Sequence, residues 1–321
     1  MAGLSGPFFD SKTKRLIEEF GVSNFIIFAR NTVLGPEALS RLCAEIKSTC
    51  LEQGLEPLIA VDQEGGPVRR LKPPLFPDTY CPSDIVSSPD PPMAMEKMAI
   101  ETAGLLKGVG IDMNLAPVMD LCLGAEDHVL KGRCLGATPR QVAELGSIYI
   151  RTLQDRGVLA TAKHFPGIGT VKVDPHLERP VVDISIDEIE WGLIPFKEAI
   201  GAGVAAIMTS HVVFSSIEPD LPATFSKKVA SHMLREELDF TGVLLSDDLE
   251  MKGITRHIDI GKAAVDAFLA GHDLLLVCNS YENVVYCLDS LKAAFEHGAI
   301  HVERVETSLK RIETVKAGQK T

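Results

Sequence analysis

The sequence has little of what marks a secreted, membrane-bound or nucleic-acid-binding protein. Its seven cysteines (Cys43, Cys50, Cys81, Cys122, Cys134, Cys278 and Cys287) are odd in number and form no C-x-x-C pair. Neither a disulfide framework nor a thiolate metal site is suggested, and reduced thiols in a cytosol are expected. The first ten residues lack a basic region followed by an apolar run, so no signal peptide is visible. No apolar stretch approaches the ~20 residues that span a bilayer. Basic residues are in deficit: 32 Lys and Arg against 44 Asp and Glu give a formal charge of −12. That balance argues against nucleic acid or an anionic membrane as the main partner. No Pro/Gly/Ser-rich linker, repeat or low-complexity tract interrupts the 321 residues. One domain covering 1–321 is therefore expected, located in the cytoplasm.

What the chain does have is alternation, within an ordinary globular composition of 45% hydrophobic and 24% charged residues. Short apolar runs at 24–28, 57–61, 111–117, 159–164, 205–210, 243–246 and 273–278 are separated by helical patterns at 38–52, 94–108, 139–156, 185–202, 227–238 and 260–270. Strand–helix alternation through a whole chain predicts a parallel sheet buried on both faces. Residues 1–7 offer a short, irregular first strand. Polar residues gather just after the runs: Asp62, Gln63 and Glu64, then Lys163 and His164, His211, and Asp247 with Asp248. Enzymes on parallel sheets collect their active groups at these strand ends. No strand leads into G-x-G-x-x-G or a Walker-type loop, which weakens a nucleotide-binding open sheet. The expected fold is an α/β, TIM (β/α)8-type barrel.

Three segments carry candidate chemistry. Residues 163–180 read K-H-F-P-G-I-G-T-V-K-V-D-P-H-L-E-R-P. Here a carboxylate, Asp174, lies two residues from an imidazole, His176, and can fix its tautomer and raise its basicity. A histidine so held is a general acid/base near neutral pH; the competing reading is a solvated loop. Residues 244–251, L-L-S-D-D-L-E-M, end a strand in adjacent carboxylates. Either could attack an anomeric carbon, and either could cap the following helix. Residues 60–70, A-V-D-Q-E-G-G-P-V-R-R, offer Asp62 as an acceptor for sugar hydroxyls. A salt bridge from Arg69 or Arg70 to Asp62 or Glu64 competes with that role, and Arg133 in K-G-R-C-L-G shares the ambiguity. His164, His176, His211, Asp174 and Asp247 could converge on a divalent ion, but no H-x-H or i, i+4 histidine spacing occurs. No metal and no cofactor is expected.

Taken together, in this order and over residues 24–278, these motifs resemble glycoside hydrolase family 3, and within it the short bacterial β-N-acetylhexosaminidases of peptidoglycan recycling. M-L-R-E-E-L-D-F-T-G-V-L-L-S-D at 233–247 resembles the family's nucleophile signature, which implies Asp247 rather than Asp248. Residues 163–180 resemble K-H-F-P-G-x-G…D-x-H…P, which implies Asp174 and His176 as the acid/base dyad. D-Q-E-G-G at 62–66, Arg70, G-R at 132–133 and K-H at 163–164 resemble sugar-binding positions. They imply Asp62, Arg70, Arg133, Lys163 and His164 as ligands of N-acetylglucosamine, and His211 is placed with them. Longer members are thought to supply the acid from a second domain. Here few residues follow the last strand, so a histidine loop is the expected substitute. The chain departs from the family pattern at Ile168, Thr170, Val171, Pro175, Arg179 and Glu250.

The resemblance implies a retaining exo-β-N-acetylglucosaminidase that acts on muropeptide fragments through a glycosyl-aspartate. The expected partner is a saccharide containing N-acetylglucosamine, with neither nucleic acid nor membrane, and the chain is taken as a monomer. Two rivals are a phosphorylase with phosphate as acceptor and a barrel that binds wall fragments without turnover.

Overall fold

The apolar runs fold as short parallel strands in a computed structural model that describes residues 1–123, 130–168 and 180–318. They are β1 (Ala2–Gly3), β2 (Asn24–Ile27), β3 (Leu58–Val61), β4 (Met113–Asn114), β5 (Leu159–Phe165), β6 (Ala206–Thr209), β7 (Val243–Asp248) and β8 (Leu274–Leu276). Each pairs in parallel with the next in chain order. The two ends then meet: Ala2 bridges Val277, and Val277 N donates to Met1 O at 3.0 Å. The expected (β/α)8 barrel is thus closed, with residues 1–7 supplying the irregular first strand. At Gly3 a Cβ would lie 1.8 Å from Cys278 O, so only glycine lets the seam close.

Strand residues alternate between two cores, as a period of two requires. Ile26, Leu58, Ala60, Met113, Leu159, Met208, Val243, Leu245, Leu274 and Leu276 fill the barrel interior. Phe25, Ile27, Ile59, Val61, Ala160, Ala162, Ile207 and Leu244 face the surrounding helices. This is why the strands read as continuous apolar runs.

Helices begin where the sequence offers caps. Asp90 precedes Pro91–Gly108 and accepts from Met93 N, and Thr138 precedes Pro139–Gln154. Ser185 and Glu188 form a reciprocal capping box at the start of Ile186–Gly201. Two segments differ from expectation. The 111–117 run is a strand only over Met113–Asn114, although Leu115 N and the carbonyls of Ala116 and Pro117 still bond the neighbouring strands. The 227–238 segment winds as a π-helix over Lys228–Glu237, with Leu238 N reaching Met233 O at 3.1 Å.

Below the strands, Asp273 accepts from Arg235 Nη2 at 2.6 Å, Ser308 Oγ at 2.7 Å and Arg311 Nη1 at 3.1 Å. Arg304 approaches to 3.5 Å. This buried cluster ties the terminal helix Val302–Gly318 to the foot of the barrel.

The cysteines require a correction. Cys122 and Cys134 are joined by a disulfide with Cα atoms 5.9 Å apart, where reduced thiols were expected throughout. The chain folds back on itself there: Cys122 N donates to Gly136 O at 2.9 Å, and Arg133 N to Leu130 O at 2.9 Å. Cys43, Cys50, Cys81, Cys278 and Cys287 are free. Among the described residues no helix is long and apolar enough to cross a membrane.

Candidate active site

The same inward parity that builds the barrel core builds the site above it. Leu58 and Ala60 are followed by Asp62 and Glu64, Leu159 and Thr161 by Lys163, Met208 by Ser210, and Val243 and Leu245 by Asp247. Asp62, Glu64, Lys163, Ser210 and Asp247 line one cavity of about 410 Å3 at the C-terminal ends of the strands, a size that suits a small ligand.

Five charges form a continuous ladder along its wall. Arg70 Nη2 lies 3.0 Å from Asp62 Oδ2, and Lys163 Nζ lies 2.9 Å from Asp62 Oδ1 and 2.6 Å from Glu64 Oε1. Arg133 holds Glu64 through Nε at 2.8 Å and Nη2 at 2.9 Å. The salt-bridge reading of residues 60–70 is realised at Asp62, which also lines the cavity; Arg69 instead pairs with Asp78. Burial alone would raise both carboxyls, but Lys163 with Arg70 at Asp62, and Lys163 with Arg133 at Glu64, hold them below the usual range. Burial would likewise lower the Lys163 ammonium, and the two carboxylates hold it above its ordinary value instead. Glu64, which the sequence offers as a strand-end polar residue and a salt-bridge partner, joins Lys163 to Arg133 in the ladder.

His164 is oriented by a residue the sequence did not single out. Asp120, buried, accepts from His164 Nδ1 at 2.7 Å, from His164 N at 3.1 Å and from Ile168 N at 2.8 Å. His211 is also fixed at both ring nitrogens, with Thr224 Oγ1 at 2.6 Å and Asp248 O at 2.9 Å.

The adjacent carboxylates separate into two roles. Burial would raise the Asp247 carboxyl, but His211, His164, the Asp248 N–H at 2.7 Å and Lys163 outweigh it and hold the group low. An ionised carboxylate facing a cavity is what nucleophilic attack needs. Asp248 is tied down, accepting from Glu250 N at 3.1 Å, Cys278 N at 3.2 Å and Asn279 Nδ2 at 3.2 Å. Burial pushes its carboxyl up to about 7. Glu250, one of the departures from the family pattern, accepts from Asn279 N, from Ser280 N at 3.1 Å and from Asn283 Nδ2 at 2.6 Å. It thereby binds the N-terminus of Tyr281–Glu296.

Two polar atoms of cavity residues, Arg70 Nε and Ser210 Oγ, are buried without a hydrogen-bond partner among the described residues. Groups left so are usually completed by water or ligand, and a polyhydroxylated ligand has both donors and acceptors to offer. The structure thus brings Asp62, Arg70, Arg133, Lys163, His164, His211 and Asp247 to one cavity. Asp174 and His176, with Thr170, Val171, Pro175 and Arg179, lie outside the described residues.

The chain is similar to known proteins in sequence and fold. A family model described as glycosyl hydrolase family 3 N terminal domain matches residues 6–315. A β-hexosaminidase of Idiomarina loihiensis is 33% identical over 311 residues, which cover 95% of this chain and 91% of that one. The fold is similar to that of a glycoside hydrolase family 3 β-N-acetylglucosaminidase from Paenibacillus, with a TM-score of 0.94 and 37% identity. That match takes in 100% of this chain but 61% of the Paenibacillus chain, which is longer. NagZ from Neisseria gonorrhoeae, solved with N-trifluoroacetyl-D-glucosamine, matches with a TM-score of 0.82 and 30% identity, over 100% and 95% of the two chains. By the family model over residues 6–315 and a relative 33% identical over 95% of the chain, the chain belongs to glycosyl hydrolase family 3 and is a glycoside hydrolase.

Proposed function

We propose that the chain, acting as one catalytic unit over 1–321, is a retaining exo-β-N-acetylglucosaminidase. Its substrates in this reading are peptidoglycan fragments with a terminal N-acetylglucosamine, and its place is cell-wall recycling in the cytoplasm. The observation that carries the proposal is Asp247: an inward-facing carboxylate, held ionised, at the mouth of a barrel whose wall is a ladder of hydrogen-bonding charges. The names of the relatives and the glucosamine analogue bound to the Neisseria enzyme support the sugar.

The reaction is a double displacement. Asp247 attacks the anomeric carbon as the glycosidic bond breaks, and a proton passes to the leaving oxygen. Asp62, Arg70, Lys163 and His164 hold the sugar hydroxyls, with Arg133 fixing the ladder through Glu64. We assign the proton transfer to His176, backed by Asp174, on the family resemblance. A water deprotonated by the same group then releases the sugar with its β configuration retained.

The test uses aryl N-acetyl-β-glucosaminide and aryl β-glucoside side by side. Asp247→Ala should abolish turnover, and the wild type should prefer the acetamido sugar and release β-product first by NMR. A preference for the glucoside, or an α-product, would overturn the reading. His176→Ala should slow natural disaccharides more than activated aryl glycosides, because a good leaving group needs less protonation.

A further inference from the structure

Asp120 does not line the cavity, yet its side-chain hydrogen bonds converge on the end of β5 and the turn that follows it. Its two oxygens accept three hydrogen bonds, from His164 Nδ1, His164 N and Ile168 N. The residues it holds, His164 and Ile168, both line the cavity. Gly167 N returns to His164 O at 2.8 Å, so residues 164–168 make a tight turn closed from inside by one carboxylate. A carboxyl group buried to this degree at the end of an apolar segment costs stability unless its acceptors are filled. Here both oxygens are filled, and by groups of the active site.

We propose that Asp120 is a positioning residue for the hydrolytic reaction: it fixes His164 as the tautomer with its proton on Nδ1 and leaves Nε2 for the substrate beside Asp247. A carboxylate only accepts hydrogen bonds, so Nδ1 must donate, and the remaining nitrogen faces the cavity as an acceptor while the ring is neutral. The same carboxylate fixes ring rotation through the His164 amide and holds the Ile168 amide. His164 thus needs no reorganisation when a sugar hydroxyl arrives. The arrangement is a second aspartate–histidine pair, distinct from the Asp174–His176 pair read in the sequence. This inference rests on the glycosidase reading of the cavity, whose nucleophile is tested by the loss of turnover in Asp247→Ala.

The experiment is a double-mutant cycle with a spectroscopic arm. Asp120→Asn, His164→Gln and the double variant are assayed for kcat and KM on aryl N-acetyl-β-glucosaminide. Asp120→Asn should lose about 10–100-fold in kcat/KM, the range for carboxylates that orient metal-bound histidines in the same way. The double variant should fall no further than the worse single one, because both act through one ring. Losses that multiply would overturn the proposal. Long-range 15N–1H spectra of wild-type protein, with His164 assigned by its absence in His164→Gln, should show the proton on Nδ1. A wild-type His164 protonated only at Nε2 would refute the assignment even if Asp120→Asn does not fold. If Asp247→Ala retains turnover while the ring signature is as stated, Asp247 is not the nucleophile and the positioning geometry stands.

Discussion

Glu64 grips Arg133 with two parallel hydrogen bonds, 2.8 and 2.9 Å long, and shares one of the same oxygens with Lys163 at 2.6 Å. Removing one partner of a buried ion pair leaves the others uncompensated and costs about 3–5 kcal/mol. Glu64→Gln keeps the volume and deletes the charge. Its urea midpoint should drop by that equivalent with an unchanged m value, and KM should rise as Arg133 and Lys163 lose their anchor. A variant as stable as the parent would show that the ladder is dispensable for folding.

Asp248 gives the stability a pH dependence of definite sign. Its carboxyl is raised to about 7 in the folded protein, against 3.8 for an ordinary aspartate. Between those values the native state binds a proton that the unfolded chain lacks, so stability falls as pH rises. The contribution is fully present below about pH 4 and is lost as pH passes 7. Asp248→Asn abolishes this dependence, so the midpoint of the variant relative to wild type should climb from acid to neutral pH. A difference that stays flat across the window would rule the effect out. The lowered carboxyls of Asp62, Glu64 and Asp247 act oppositely: their stabilisation is lost as pH falls below the ordinary carboxylate range.

The Cys122–Cys134 bond closes a loop of sequence separation 12, and Arg133 lies within it. A cross-link of that span is worth about 3 kcal/mol in the chain-entropy account. Reduction, or Cys122→Ser, should lower the denaturation midpoint accordingly and raise KM through Arg133. Thiol titration of the unfolded, unreduced protein should count five groups, the free cysteines. A count of seven would mean the bond is absent in solution.

Glu250→Ala should free the first turn of the Tyr281–Glu296 helix. The amides of Asn279 and Ser280 lose their acceptor, a loss of about 1–2 kcal/mol for a capping interaction. Hydrogen exchange at these amides should quicken while the foot of the barrel stays protected. Uniform quickening would mean that the carboxylate supports the whole fold instead.

Much of this architecture was legible because parallel strands buried on both faces leave continuous apolar runs. The residues alone left Asp247 and Asp248 open, because β7 shifts register between Leu245 and Asp248 and both carboxylates reach the cavity; only the family resemblance separated them. Asp120 was not legible. It ends an apolar segment after a two-residue strand, and its partner His164 is 44 positions away. The disulfide was hidden by an odd cysteine count, which conceals one pair among free thiols. Glu250 read only as a departure, because the amides it binds arrive with β8, about 30 positions later. The π-helical winding of Lys228–Glu237 left no periodic trace that separates it from an ordinary helix.

Asp273 lies just before β8 and is held by Arg235, Arg304 and Arg311, whereas the charged cavity residues lie near or beyond the C-terminal ends of the strands. Cohesion and chemistry are therefore assigned to opposite rims of the same cylinder. Substitutions that share no partner combine almost additively, so changes at the two rims should be independent of one another. Such a molecule can have its mouth rewritten, loop by loop, for a different glycan while its base keeps the scaffold upright.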